Sequence, residues 1–80
     1  MTRYGKTSRL SLVDVLQKSE NFFGPKGLGL DIKEHTVARA AYEGGGGYVV
    51  VAMTPATQGT EVEVDSREWD YQVEQFLTKI

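Results

Sequence analysis

Four consecutive glycines, Gly44 to Gly47, lie between two runs of β-branched, alanine and aromatic residues, Thr36 to Tyr42 and Tyr48 to Met53. Only a chain reversal satisfies both features, because glycine alone enters positive φ without steric cost and the flanking runs suit extended backbone. The reading is a β-hairpin. Its tip fixes which side chains share a face: Glu43 opposes Tyr48, and counting outward pairs Tyr42 with Val49, Ala40 with Val51 and Ala38 with Met53. That side is wholly apolar. The other side pairs Ala41 with Val50 and Arg39 with Ala52, with Val37 beyond, so one sheet face belongs to a core and the other is half wet.

Helices are expected on both flanks of the hairpin. Leu12, Val15, Leu16, Ser19 and Phe23 fall on one helical face, Ser11 is placed to cap it, and Asp14 suits its positive end and sits four residues before Lys18. Gly24-Pro25 supplies the stop, which gives a helix over 12–23. Trp69, Val73, Phe76, Leu77 and Ile80 form a second helical stripe, and Asp65 followed by Glu68 has the spacing of a capping box.

Two further strands are expected between these elements. Leu28, Leu30 and Ile32 alternate with polar residues, as in a half-buried strand, which either turns at Lys33-Glu34-His35 or runs on through a bulge. Thr54 to Gly59 reads as a loop. Val62 and Val64 then alternate with Glu61, Glu63 and Asp65, which places the acids on the outer face with Arg39 and sets Val50 beside Glu63. Residues 1–9 carry Arg3, Lys6 and Arg9 with no apolar period and read as a flexible basic arm. The fold class is α+β: a three- or four-stranded antiparallel meander with an N-terminal and a C-terminal helix on one face, in a single domain over 10–80.

With 80 residues and no cysteine, the chain has neither a disulfide nor a thiolate metal site, so packing or self-association must hold it together. A soluble, cytoplasmic protein is expected, with no membrane span and no secretory signal. Residues 1–40 carry seven basic and four acidic side chains, and residues 41–80 carry two and seven. The halves therefore have net charges of +3 and −5, a dipolar pattern whose overall value of −2 argues against nucleic-acid binding.

Few residues point to chemistry. Gly24-Pro25-Lys26-Gly27-Leu28-Gly29 has the composition of an anion loop, but a strand follows where a phosphate loop leads into a helix. Asp31, Glu34 and His35 are the one set near a single turn that could meet around a metal, and a solvated turn is the preferred reading. No cofactor, metal or catalytic residue is assigned. Tyr71 lies away from the second helix's apolar stripe, and with Val37, Arg39, Tyr48, Val50, Glu61 and Glu63 it makes up a candidate interaction surface.

The leading expectation is a non-enzymatic interaction module whose partner is another protein or itself, with a homodimer through the open sheet face as one form. The alternative is a binder of a small apolar ligand between sheet and helices, where Ala38, Ala40 and Ala41 leave room beside Tyr42 and Trp69. In outline this order of elements is similar to helix-grip ligand-binding domains, a likeness of architecture alone. An enzyme using the surface carboxylates comes third.

Overall fold

The computed structural model describes residues 2–80, with side chains from residue 3 onward. Its elements run β1 (Thr2–Ser8), α1 (Leu12–Phe23), β2 (Asp31–His35), β3 (Arg39–Gly44), β4 (Gly47–Ala56), β5 (Gly59–Arg67) and α2 (Asp70–Leu77). The strands form one antiparallel sheet in the order β1-β5-β4-β3-β2. The class is α+β as expected, with five strands in place of three or four.

Both helices cover the same sheet face. Val15 and Phe23 of α1 and Val73 and Phe76 of α2 are buried with Tyr42, Val49, Val51, Val62 and Val64 of the central strands. Phe23 is the hub of this core: its ring centroid lies 4.9 Å from Phe22, 5.1 Å from Phe76 and 5.6 Å from Tyr42. α1 begins as its sequence dictates, the Ser11 hydroxyl accepting from the Asp14 N–H at 3.2 Å.

The hairpin register is the one counted from the glycines, Glu43 opposite Tyr48 through Arg39 opposite Ala52. Gly45 and Gly46 take φ of +59° and +81° at the tip, and there the chain depends on glycine.

Four expectations are corrected. Residues 2–8 are not a flexible arm but β1, an edge strand paired residue by residue with β5 from Thr2–Ser66 to Ser8–Thr60; Met1 lies outside the described residues. Its inward positions are amphipathic instead of apolar, which hides the alternation. Tyr4 reaches Glu74 through its hydroxyl at 3.5 Å, the Lys6 ammonium donates to the carbonyl of Leu77 at 2.6 Å, and the Ser8 hydroxyl donates to that of Ile80 at 2.9 Å. The sheet therefore extends to residue 2, well before the domain start expected at residue 10.

Second, the expected loop at 54–59 shrinks to the two residues Thr57 and Gln58, since β4 runs to Ala56. The β4–β5 register moves by two residues, which keeps every side chain on its face but sets Val50 opposite Asp65 and Ala52 opposite Glu63. Third, no capping box forms. Asp65 and Arg67 belong to β5, the chain turns at Glu68 with φ +72°, and α2 starts only at Asp70.

Fourth, β2 is not half-buried. It starts at Asp31, all five of its residues are exposed, and it runs on through a bulge between Ile32 and Glu34. Leu30 is buried just ahead of it. The turn into β3 is closed by Thr36, whose hydroxyl accepts from the N–H groups of Ala38 and Arg39.

The open face of the sheet

With both helices on one side, alternation sends Arg39, Ala41 and Glu43 of β3, Tyr48, Val50 and Ala52 of β4, and Glu61, Glu63, Asp65 and Arg67 of β5 to the other. Strand registers align these residues in rows across the sheet. Asp31, Glu43, Tyr48 and Arg67 form one; Glu34, Ala41, Val50, Asp65 and Arg3 the next; Arg39, Ala52, Glu63 and Gly5 the third; Thr54, Glu61 and Thr7 the fourth. Tyr48, Val50, Ala52 and Ala41 are each part-exposed, a central apolar strip between charged flanks.

The flanking charges are partly paired. Arg3 Nε donates to Asp65 Oδ1 at 2.8 Å, and that hydrogen bond, then the charge of Asp65, then that of Glu63, raise the guanidinium pKa above its ordinary value. Arg39 Nε lies 3.2 Å from Glu34 Oε1. Glu61 and Glu63 have no cation within ion-pair distance among the described residues. They border an open depression in which Gly5 and Ala52 flank Glu63 while Thr7 and Thr54 flank Glu61.

Of the residues expected to form an interaction surface, the structure brings together Arg39, Tyr48, Val50, Glu61 and Glu63 on this face. It separates the other two. Val37 is exposed in the β2–β3 turn, outside both strands. Tyr71 is 69% exposed on α2, in the helical layer on the far side of the sheet. Sequence reasoning missed Arg3, Asp31, Glu34, Glu43 and Arg67 as members of the face. The signal for Glu43 was present in the hairpin count, whereas Arg3 and Glu34 could be placed only once β1 and the β2 bulge were known.

The remaining motifs serve the fold. In the 24–29 turn the N–H groups of Gly27 and Gly29 donate to the carbonyl of Gly24, those of Leu28 and Leu30 to Phe22 and Phe23, so these donors are not turned toward an anion. His35 faces Glu20 of α1 at 3.5 Å while Glu34 turns to Arg39, and among the described residues no group of three His, Cys, Asp or Glu is placed to hold a metal ion. The room expected beside Tyr42 contains the protein's own side chains. Phe23 packs on the ring and Ser19 meets the hydroxyl at 2.8 Å. Between α1 and α2 a surface groove of about 200 Å³ is lined by Lys18, Asn21, Phe22, Phe76 and Lys79.

No protein-family model, no curated protein and no solved structure matches this chain. Among the described residues no helix is long and apolar enough to cross a membrane.

Proposed function

We propose that the protein is a non-enzymatic interaction module that docks a protein partner on its open sheet face. The observation that carries this reading is the composition of that face: a strip of Tyr48, Val50, Ala52 and Ala41 at the centre, bordered on both sides by charged side chains. Protein interfaces have this anatomy, an apolar centre that gains from leaving water and a polar rim that orients the partner. Small residues at 41 and 52 let a partner approach the backbone, and Tyr48 offers a ring that loses little side-chain entropy on binding. The lack of cysteine agrees with work in the reducing cytoplasm, where a small domain gains stability from association in place of disulfides.

Site-directed photo-crosslinking in the producing cell tests this. A photoreactive side chain in place of Val50 is expected to give a discrete adduct of one mass, and one in place of Tyr71, on the opposite side of the molecule, none. Equal labelling at the two positions, or none at Val50, overturns the reading.

A further inference from the structure

The two flanks of the open face carry opposite charges at matched levels. Level with Tyr48, Glu43 stands on the β3 side and Arg67 on the β5 side. Level with Val50, Glu34 of β2 stands two strands out on one side and Arg3 of β1 two strands out on the other. Level with Ala52, Arg39 stands on the β3 side and Glu63 on the β5 side. Each row thus holds one pair of opposite sign equidistant from β4, whereas Asp65 has the neutral Ala41 as its counterpart and Asp31, beyond Glu43, has none among the described residues.

A two-fold axis lying along β4, just above the face, exchanges the two flanks while keeping every level. It sets the second copy's Arg67 over Glu43, its Arg3 over Glu34 and its Glu63 over Arg39, and by symmetry repeats each pair. Tyr48, Val50 and Ala52 then stack on their own copies. Asp65 falls over the neutral Ala41 of the other chain and retains its 2.8 Å partner Arg3.

Resting on the reading of this face as the docking surface, we propose that its occupant is a second copy of the chain, seated face to face about this axis. Sheets packed face to face keep their strands within about 30° of each other and about 10 Å apart, a gap that Arg and Glu side chains from both sides bridge. The contact is isologous, as in most homodimers, and its crossed charges select this register over a slide along the strands. Sliding by two residues would set Asp65 over Glu43 of the other chain, a like-charged pair, and leave Glu63 facing Ala41.

Sedimentation velocity over a concentration series tests the proposal, with thermal melts confirming that each variant is folded. The wild type is expected to dimerise. Arg39→Glu and Glu63→Arg are each expected to weaken the dimer at least tenfold, since each sets two like-charged pairs across the axis. An equimolar mixture of the two variants is expected to regain the wild-type affinity, because the mixed dimer brings every introduced charge against its opposite. Three results overturn the proposal and differ in what they say of the open face. A monomeric wild type removes the second copy and leaves the face for another partner. A dimer broken by Val50→Lys but indifferent to the charge reversals, or not rescued by mixing, keeps the face and rejects the register. A dimer untouched by Val50→Lys and by both reversals lies elsewhere on the molecule and rejects the open-face reading as well.

Discussion

The indole N–H of Trp69 donates to the carbonyl of Gly44 at 2.9 Å, and this bond ties the entrance of α2 to the tip of the β3–β4 hairpin. It joins the two segments whose positions decide the architecture, the glycine turn and the closing helix. Trp69 has a double role here, since it stands at the N-cap position of α2 yet makes no capping bond with its side chain.

Replacing Trp69 with phenylalanine should therefore remove one hydrogen bond while keeping most of the packing, at a cost of about 1 kcal/mol. Trp69→Ala should cost about 3 kcal/mol, the lower end for a large aromatic because the indole is only part-buried. Urea unfolding measures both. Equal losses in the two variants would show that the hydrogen bond, and not the ring, holds the helix in place.

The glycine turn allows a finer comparison. Gly46 has φ +81° with open space where a Cβ would project, so Gly46→Ala should cost only its backbone strain, about 1 to 2 kcal/mol. Gly45 has φ +59° and its Cβ would lie 2.9 Å from Cζ2 of Trp69, so Gly45→Ala should cost more. In a Trp69→Ala background that excess should vanish. A double-mutant cycle with no coupling between residues 45 and 69 would mean that the indole does not rest on the turn.

Tyr42 is fully buried, and its hydroxyl lies 2.8 Å from that of Ser19. Because the Ser19 hydroxyl donates to the carbonyl of Leu16 at 2.8 Å, it is Tyr42 that donates to Ser19. Burial raises the phenol pKa above the ordinary tyrosine value and the charge of Glu20 adds to it, while Ser19, which can turn its hydroxyl from Leu16 and donate to the phenolate, opposes the rise. A raised folded pKa has a defined consequence: the stability it contributes is fully present below the unfolded value, about 10, and is lost as pH rises through the folded value. The wild type should lose stability above that pH more steeply than Tyr42→Phe, which should itself cost about 1 kcal/mol near neutrality. Melting curves between pH 8 and 11.5 compare the two, and parallel profiles would place Tyr42 in contact with water.

Much of this architecture was written locally. Ser11, the spacing of Val15, Ser19 and Phe23, and the Gly24-Pro25 stop define α1 without reference to the rest of the chain, and the four glycines set the β3–β4 register to the residue. Pro55 misled because proline suggests the end of a strand. It is tolerated in β4 because β3 has already ended at that level: the last bond across that pair is from the Met53 N–H to the Ala38 carbonyl, so no donor is needed at residue 55. The face proposed for docking was half legible. Arg39, Tyr48, Val50, Glu61 and Glu63 follow from alternation alone, but the matched charges across it depend on the β4–β5 register and on two edge strands. Of the two edges, β2 showed as a strand in the alternation of Leu28, Leu30 and Ile32 but not in its bounds or its exposure, and β1 did not show because its inward side chains are Tyr4, Lys6 and Ser8.

That last point sets the most demanding test of the fold. If residues 2–8 were a solvated arm, their removal would leave the melting temperature unchanged. As β1 they pair with Thr60 to Ser66 of β5, and their inward side chains anchor the end of α2 through Glu74, Leu77 and Ile80. Deleting them leaves β5 as an unprotected edge and uncovers one flank of Val62 and Val64, which are now 1% and 0% exposed. It also removes Ser8, whose hydroxyl accepts from the Leu10 N–H at 3.1 Å and so shapes the approach to α1. Against a total stability of about 5 to 15 kcal/mol for a domain of ordinary stability, these combined losses should unfold most of the population at 25 °C. Far-ultraviolet circular dichroism of the chain lacking residues 1–8 measures this directly, and a cooperative melt within a few degrees of the wild type would show that β1 is dispensable to the sheet.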